Sequence, residues 1–237
     1  MITLAIDSAS KSAGAALLRD EEVLLEIGWN LDRHHGETLL PVIGDLYRIA
    51  GRKPGDTNLI ALTTGPGSFT GLRIGASVAK GLAFTWGIPV AGVSTLAALA
   101  LNGGPGNRPV CPMLDARKEE VYAGLFRVED GGRVREISAE RVVAIESFLG
   151  ELEGEVVFVG DGAVRYEPVI RSLFRGTALF PPPSEHKVRA SSVGLLGLKK
   201  FHEGDILNLP AFTPRYLRFS EAEKRKAMEA AGESTDA

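Results

Sequence analysis

Apolar and polar positions along the chain follow two rhythms, and their order predicts a plan of strands and helices. Ile2 to Ile6 is a short apolar run closed by Asp7, polar Ser8 to Ser12 reads as a turn into Ala13 to Leu18, and Asp20-Glu21-Glu22 turns the chain again into Val23 to Ile27. Runs of this length between polar turn residues predict a three-stranded meander. From Thr38 to Ala50 the rhythm changes: Leu39, Val42, Ile43, Leu46, Ile49 and Ala50 keep a helical period, Pro41 fits the first turn and Gly51 is the expected stop. A further apolar run, Leu59 to Leu62, leads into the glycine-rich stretch GPGSFTGLRIG, Gly65 to Gly75, and Ala76 to Trp86 reads as a second helix.

The second half repeats this order. Shifted by 108 residues, Asp115 falls on Asp7 and Leu125-Phe126-Arg127 on Leu17-Leu18-Arg19 without a gap. A helical stretch around Ile145 to Leu152, an apolar strand Val156 to Val159 and a glycine turn Gly160-Asp161-Gly162 then mirror Leu59 to Gly67. The repeat rests on the order of elements more than on identical residues. Asn102 to Asn107 has linker composition, so the expected division is residues 1–102, residues 108–219 and a charged, flexible tail 220–237. Ala190 to His202 is a further helix candidate, followed by an extended stretch from Pro210 to Leu217.

The glycine stretch sits where many proteins hold a phosphate, between a strand and a helix. Its spacing fits neither common template: no lysine with a following Ser or Thr closes it, and Gly65, Gly67 and Gly71 are spaced two and then four apart. The helix after it is more informative. Gly71, Gly75, Ala79 and Ala83 recur every four residues and form a ridge without bulk, against which another helix can approach closely. Leu72, Ile74, Val78, Leu82 and Phe84 cover much of the remaining circumference, so this helix is expected to be covered on two sides. The earlier helix shares that character, because Leu40, Gly44 and Tyr47 lie off its main stripe. Either the two helices pack on each other inside the chain, or together they form half of an interface with a second protein. On the interface reading Gly75→Leu blocks association; on the internal reading it lowers stability. Arg73, near the helix start, opposes the helix dipole and is expected to pair with a carboxylate or an anion.

Composition narrows the function classes. A net charge of -3 argues against a dominant nucleic-acid-binding surface and leaves any RNA role to a partner. The single Cys111 excludes an internal disulfide and a cysteine zinc cluster, which suits a reducing cytoplasm, and its apolar setting predicts a buried strand residue. No apolar run approaches 18 residues, so a membrane span is not expected and the chain is read as cytoplasmic.

A duplicated βββαβα plan with an aspartate closing the first strand resembles the actin, Hsp70 and sugar-kinase superfamily. Within it, the chain closely resembles the TsaB (YeaZ) family through Ile6-Asp7-Ser8-Ala9, the Gly65 to Gly75 stretch, Gly81-Leu82-Ala83-Phe84 and Gly92-Val93-Ser94-Thr95-Leu96. Asp115-Ala116-Arg117-Lys118-Glu119-Glu120-Val121-Tyr122 and Pro214-Arg215-Tyr216-Leu217-Arg218 extend the likeness to nearly the whole chain. The resemblance implies a noncatalytic subunit of the bacterial machinery that forms N6-threonylcarbamoyladenosine at position 37 of tRNAs reading codons that begin with A. It implies TsaD as catalytic partner, the ATPase TsaE as a further one, a homodimer when alone, and tRNA contact at most through the complex. The partner interface expected on these grounds comprises Leu40, Gly44, Tyr47, Gly71, Arg73, Gly75, Ala79 and Ala83.

The residues agree with a noncatalytic role, and no cofactor or metal is expected. Phosphate hairpins of a working superfamily site carry glycines, yet Asp7-Ser8-Ala9-Ser10-Lys11-Ser12 has none, and Asp115-Ala116-Arg117-Lys118-Glu119-Glu120 is bulky and acidic. Gly160-Asp161-Gly162-Ala163 would hold an adenosine only weakly. The catalytic sibling's metal-binding His-x-x-x-His is missing, since Thr38 and Leu39 stand four residues beyond His34 and His35. His186 and His202 read as isolated surface residues, and Asp7 and Asp115 as turn caps. The rival reading is a small-molecule kinase or ATPase using Asp7 with Asp115; a self-sufficient peptidase-like or regulatory homodimer ranks last, for want of a nucleophile beside a base.

Overall fold

The computed structural model describes residues 1–30 and 35–218, so the tail 220–237 and His34 lie outside the described residues. The first half runs β1 (Ile2–Asp7), β2 (Ala13–Arg19), β3 (Glu22–Trp29), α1 (His35–Ile49), β4 (Leu59–Gly65), α2 (Phe69–Trp86), β5 (Val90–Ser94) and α3 (Thr95–Ala100). The second runs β6 (Val110–Asp115), β7 (Glu120–Glu129), β8 (Arg133–Ala144), α4 (Ile145–Leu149), β9 (Glu155–Val159), α5 (Asp161–Arg165), α6 (Glu167–Leu173), β10 (Thr177–Leu179) and α7 (Ala190–His202).

These strands form two five-stranded sheets, ordered β3-β2-β1-β4-β5 and β10-β9-β6-β7-β8. Read from the opposite edge, the second order is the first one again. Both meanders are antiparallel, while β4 and β9 join their central strands β1 and β6 in parallel. β6 ends on Asp115 as β1 ends on Asp7, which matches the 108-residue shift.

Alternation along the strands sets the layers. Leu4, Ile6 and Leu62 turn to the side where α1 and α2 lie and build one core with Leu39, Ile43, Leu46 and Ala79. Ala5, Ala16 and Ala61 turn to the opposite face and share a second core with Val193 of α7 and with Leu114 and Phe126 of the other sheet. Small residues on that face let α7 settle closely: a Cβ on Gly194 would lie 2.4 Å from Leu18 Cδ1, and one on Gly197 2.4 Å from the Ala61 Cβ. A third core, around Phe148, Phe158 and Phe174, supports the second sheet.

Sequence pattern and structure part company at two places. The second helix begins at Phe69, inside the glycine stretch, because the Ser68 hydroxyl accepts from Gly71 N at 3.3 Å and caps it. The stretch expected as the last part of a 108–219 domain returns instead to the first sheet. α7 packs on β1, β2 and β4, and its N-terminus is held by Glu26 of β3, whose carboxylate accepts from Ser191 N at 3.0 Å and Ser191 Oγ at 2.7 Å. A carboxylate at a helix N-terminus satisfies otherwise unpaired N–H groups and complements the dipole. Beyond α7, Leu207 N donates to Val90 O at 2.8 Å and Arg215 N to Thr64 O at 2.7 Å, so residues 203–218 form a strap along the first half.

Candidate partner interface and the closed glycine loop

The glycine loop receives protein backbone. A Cβ on Gly67 would lie 2.1 Å from Ala9 O, one on Gly71 2.0 Å from Ser8 O, one on Gly75 2.3 Å from Ser8 Oγ, and one on Gly65 2.3 Å from Arg215 O. Ser68 N donates to Ala9 O at 2.6 Å, and Ser8 Oγ donates to Gly71 O at 2.8 Å. The β1–β2 hairpin therefore occupies the ground beside the start of α2, and the strap closes it from the other side. Glycine is needed at these positions for close approach, with Gly65 and Gly67 also at positive φ, 118° and 158°.

The two strand-closing aspartates hold turns, as expected. Asp7 is fully buried; its Oδ1 accepts from Ala9 N at 3.1 Å and Thr63 Oγ1 at 3.0 Å, and Oδ2 has no hydrogen-bond partner. Burial lifts its carboxyl to about 7, against the lowering effect of the Ala9 and Thr63 hydrogen bonds. Asp115 repeats the turn, accepting from Arg117 N at 2.9 Å, and its carboxylate also meets Arg165 at 2.9 Å. In the hairpin it caps, Arg117, Lys118 and Glu119 are all left-handed, with φ of 62°, 54° and 60°. Such backbone costs about 1–3 kcal/mol per residue. Gly160 and Gly162 allow close packing of α5 on β6, a Cβ on Gly160 lying 2.1 Å from Met113 O. His186 is not an isolated surface residue: Gly160 N donates to its Nδ1 at 3.1 Å, and its Nε2 lies 3.0 Å from Pro181 O.

The eight interface candidates separate into two groups. Gly71, Gly75, Ala79 and Ala83 are buried, facing Ser8 and the core above β1 and β4. Tyr47 is buried as well, its hydroxyl 2.5 Å from Thr57 Oγ1 and its ring edge-on to Trp86. These five residues hold their own domain together and are corrected from partner contacts to internal packing. The physical reason is that the sheet, not a second protein, covers the small-residue ridge. Leu40, Gly44 and Arg73 are exposed.

Beside the expected Leu40 and Gly44 of α1, exposure picks out Gly36 on α1 and a stripe on α2, Thr70, Ser77, Gly81 and Phe84, that the sequence pattern did not mark as a contact surface. Phe84 is 90% exposed and Leu40 50%, whereas a Cβ on Gly44 or Gly81 would meet nothing within 4 Å. The i, i+4 spacing of Ser77 and Gly81 was the available signal. A groove of about 500 Å³ lies along this face, lined by Gly36, Phe69, Thr70, Arg73, Ile74, Ser77 and Val78. Among the described residues Arg73 meets no acid. Its guanidinium stacks 3.8 Å above the Phe69 ring and its Nε donates to Tyr216 Oη at 3.2 Å.

The strap ties the two halves together. Arg215 reaches Glu140 of β8 at 2.8 Å, and Glu140 also accepts from Ser94, the cap of α3. The Glu140 side chain is 1% exposed, and burial raises its pKa despite both partners. Arg218 meets Glu120 at 3.0 Å and Ala116 O at 2.8 Å. Among the described residues no helix is long and apolar enough to cross a membrane.

Two matching sheets joined across a shared core, each with an aspartate closing its central strand, define a duplicated protein of the actin, Hsp70 and sugar-kinase class. A hexokinase of the ROK type from Thermus thermophilus shares the fold, with a TM-score of 0.50 at 13% identity over 86% of this chain and all of that one (100%). Closer similarity identifies the branch. The family model described as TsaD, tRNA N6-adenosine threonylcarbamoyltransferase, matches residues 29–225. The Bacillus subtilis tRNA threonylcarbamoyladenosine biosynthesis protein TsaB is 31% identical over 95% of this chain and 97% of its own length. YeaZ from Pseudomonas aeruginosa superposes with a TM-score of 0.77 at 28% identity, covering 91% of this chain and 99% of that one. The chain belongs to the TsaB (YeaZ) family.

Proposed function

We propose that the chain is a noncatalytic subunit in the formation of N6-threonylcarbamoyladenosine at position 37 of tRNAs reading codons that begin with A, and that its α1–α2 face docks on the transferase TsaD. The carrying observation is that face: exposed stripes on two helices, with the 90% exposed Phe84 one turn from the open Gly81 position and a groove between the first half of α2 and Gly36 at the start of α1. A large apolar side chain left in water next to surfaces that admit close helix approach fits a protein partner. Similarity to both TsaB proteins and the TsaD family model supports a pairing of related halves. TsaE joins this pair, and the free chain self-associates through the same face. tRNA is contacted at most through the complex, in the cytoplasm.

The noncatalytic part of the reading is supported by the filled loop. Ser8 and Ala9 lie where a phosphate would approach α2, and Asp7 is sealed from solvent. Reconstitution tests the whole: TsaD, TsaE, ATP, the threonylcarbamoyl donor system and tRNA are to yield modified adenosine only when this chain is added. The chain alone is to show no ATP turnover. Turnover by the chain alone that disappears in Asp7→Ala would favour the kinase or ATPase alternative, and modification at full rate without the chain would refute the subunit role.

A further inference from the structure

Arg73 stands at the edge of the α1–α2 groove, held in place by its own side of the molecule. Phe69 supports the guanidinium face at 3.8 Å, Tyr216 accepts from Nε at 3.2 Å, and the Phe69 and Tyr216 rings pack 4.6 Å apart. Tyr216 comes from the strap, more than 140 residues along the chain, and the strap is anchored nearby by Lys80 Nζ donating to Phe212 O at 2.7 Å. Among the described residues Arg73 has no carboxylate partner, and its two Nη atoms have no hydrogen-bond partner. Among the described residues it is also the one charged side chain lining the groove. An exposed guanidinium so fixed has lost rotamer freedom while its Nη donors stay unbonded among the described residues.

We propose that Arg73, held by Phe69 and Tyr216, anchors the docking partner by taking one of its carboxylates in a two-pronged ion pair; the proposal rests on the docking reading above. The planar fork matches a carboxylate with two parallel N–H···O bonds, and its preset geometry reduces the ordering cost of making them. The surroundings favour an acidic protein side chain over an RNA backbone. Nucleic acid is held by several cations acting together, whereas the described residues of this groove set Phe69, Ile74 and Val78 beside Arg73 alone. Tyr216 is a positioning residue, acting on the partner through Arg73.

Affinity for purified TsaD, measured by calorimetry across a range of salt concentrations, tests this with Leu40→Glu as the control for the face itself. Arg73→Gln is expected to weaken binding about tenfold or more at low salt and to flatten its salt dependence. Arg73→Lys keeps the charge and the salt dependence but recovers only part of the affinity. Tyr216→Phe keeps the ring and removes the acceptor, so a loss of about two- to fivefold with an unchanged melting temperature is expected. If Leu40→Glu abolishes binding while Arg73→Gln changes neither affinity nor salt dependence, the anchor is refuted and the docking reading survives. If neither variant affects binding, the face is not the interface and both fall. Loss of tRNA binding by Arg73→Gln with TsaD affinity intact would likewise overturn the protein-carboxylate assignment.

Discussion

One helix provides its own control for the role of the glycine loop. Gly71 and Gly81 both lie in α2 and both gain the same methyl group as alanine, yet opposite effects are expected. At Gly71 the new Cβ would lie 2.0 Å from Ser8 O, a backbone atom of a hairpin that is itself bonded to Ser68 N and Gly71 O. That oxygen cannot swing aside as a side chain would, so relief requires moving β1–β2 or α2. Overpacking of this kind costs about 1–3 kcal/mol, and the rigidity of the obstacle places Gly71→Ala towards the upper end. At Gly81 nothing lies within 4 Å, so Gly81→Ala gains the helical preference of alanine, about 0.5–1 kcal/mol. For a chain of this size each kcal/mol moves the melting temperature by about 2–4 °C. Urea unfolding and thermal melts of both variants should therefore move in opposite directions from wild type. A Gly71→Ala protein as stable as wild type would refute the claim that this glycine exists to admit Ser8.

Three further outcomes follow from buried groups. Burial holds the Asp7 carboxyl at about 7 against 3.8 when exposed, so between these values the folded chain retains a proton the unfolded chain has lost, and the group costs stability as pH rises. Asp7→Asn should gain on wild type by up to about 1.4 kcal/mol per pH unit across that window; parallel urea profiles at acid and mildly basic pH would contradict this. Arg215→Ala leaves the 1% exposed Glu140 carboxylate without its cation and should cost about 1–3 kcal/mol near neutrality, less than a wholly buried pair because Arg215 is itself half exposed. That deficit should shrink at lower pH as Glu140, its pKa raised by burial, takes up a proton; an equal loss at both pH values would argue against it. Tyr47→Phe removes the hydrogen bond to Thr57, so it should lower stability by about 1 kcal/mol without changing association, checked by melts and sedimentation.

Much of the fold was legible because the pattern was local. Strand runs closed by Asp7 and Asp115, the period of Leu39 to Ile49 and the 108-residue shift each depend on neighbours along the chain. The return of α7 to the first sheet was not, since Gly194 and Gly197 reveal their purpose only against Leu18 and Ala61. The site suffered from the same limit. Spacing by four found a ridge on α2, but two stripes share that spacing, and sequence alone does not say which one the sheet covers. Gly71 and Gly75 lie towards Ser8, while Ser77 and Gly81 are open. Tyr47 misled for a similar reason: it lies off the main apolar stripe of its helix, yet it is buried and its hydroxyl is satisfied internally by Thr57.

The central claim, that the exposed α1–α2 face joins this chain to TsaD, is tested most directly by the affinity of Leu40→Glu for that protein. Leu40 is 50% exposed, so a carboxylate there is solvated in the free chain and the fold is expected to tolerate it. Within a docked apolar interface the same charge would be desolvated without a partner. Calorimetric titration should show binding by wild type and its loss, by about a hundredfold or more, in Leu40→Glu at an unchanged melting temperature. Equal affinity of the two proteins would contradict the account.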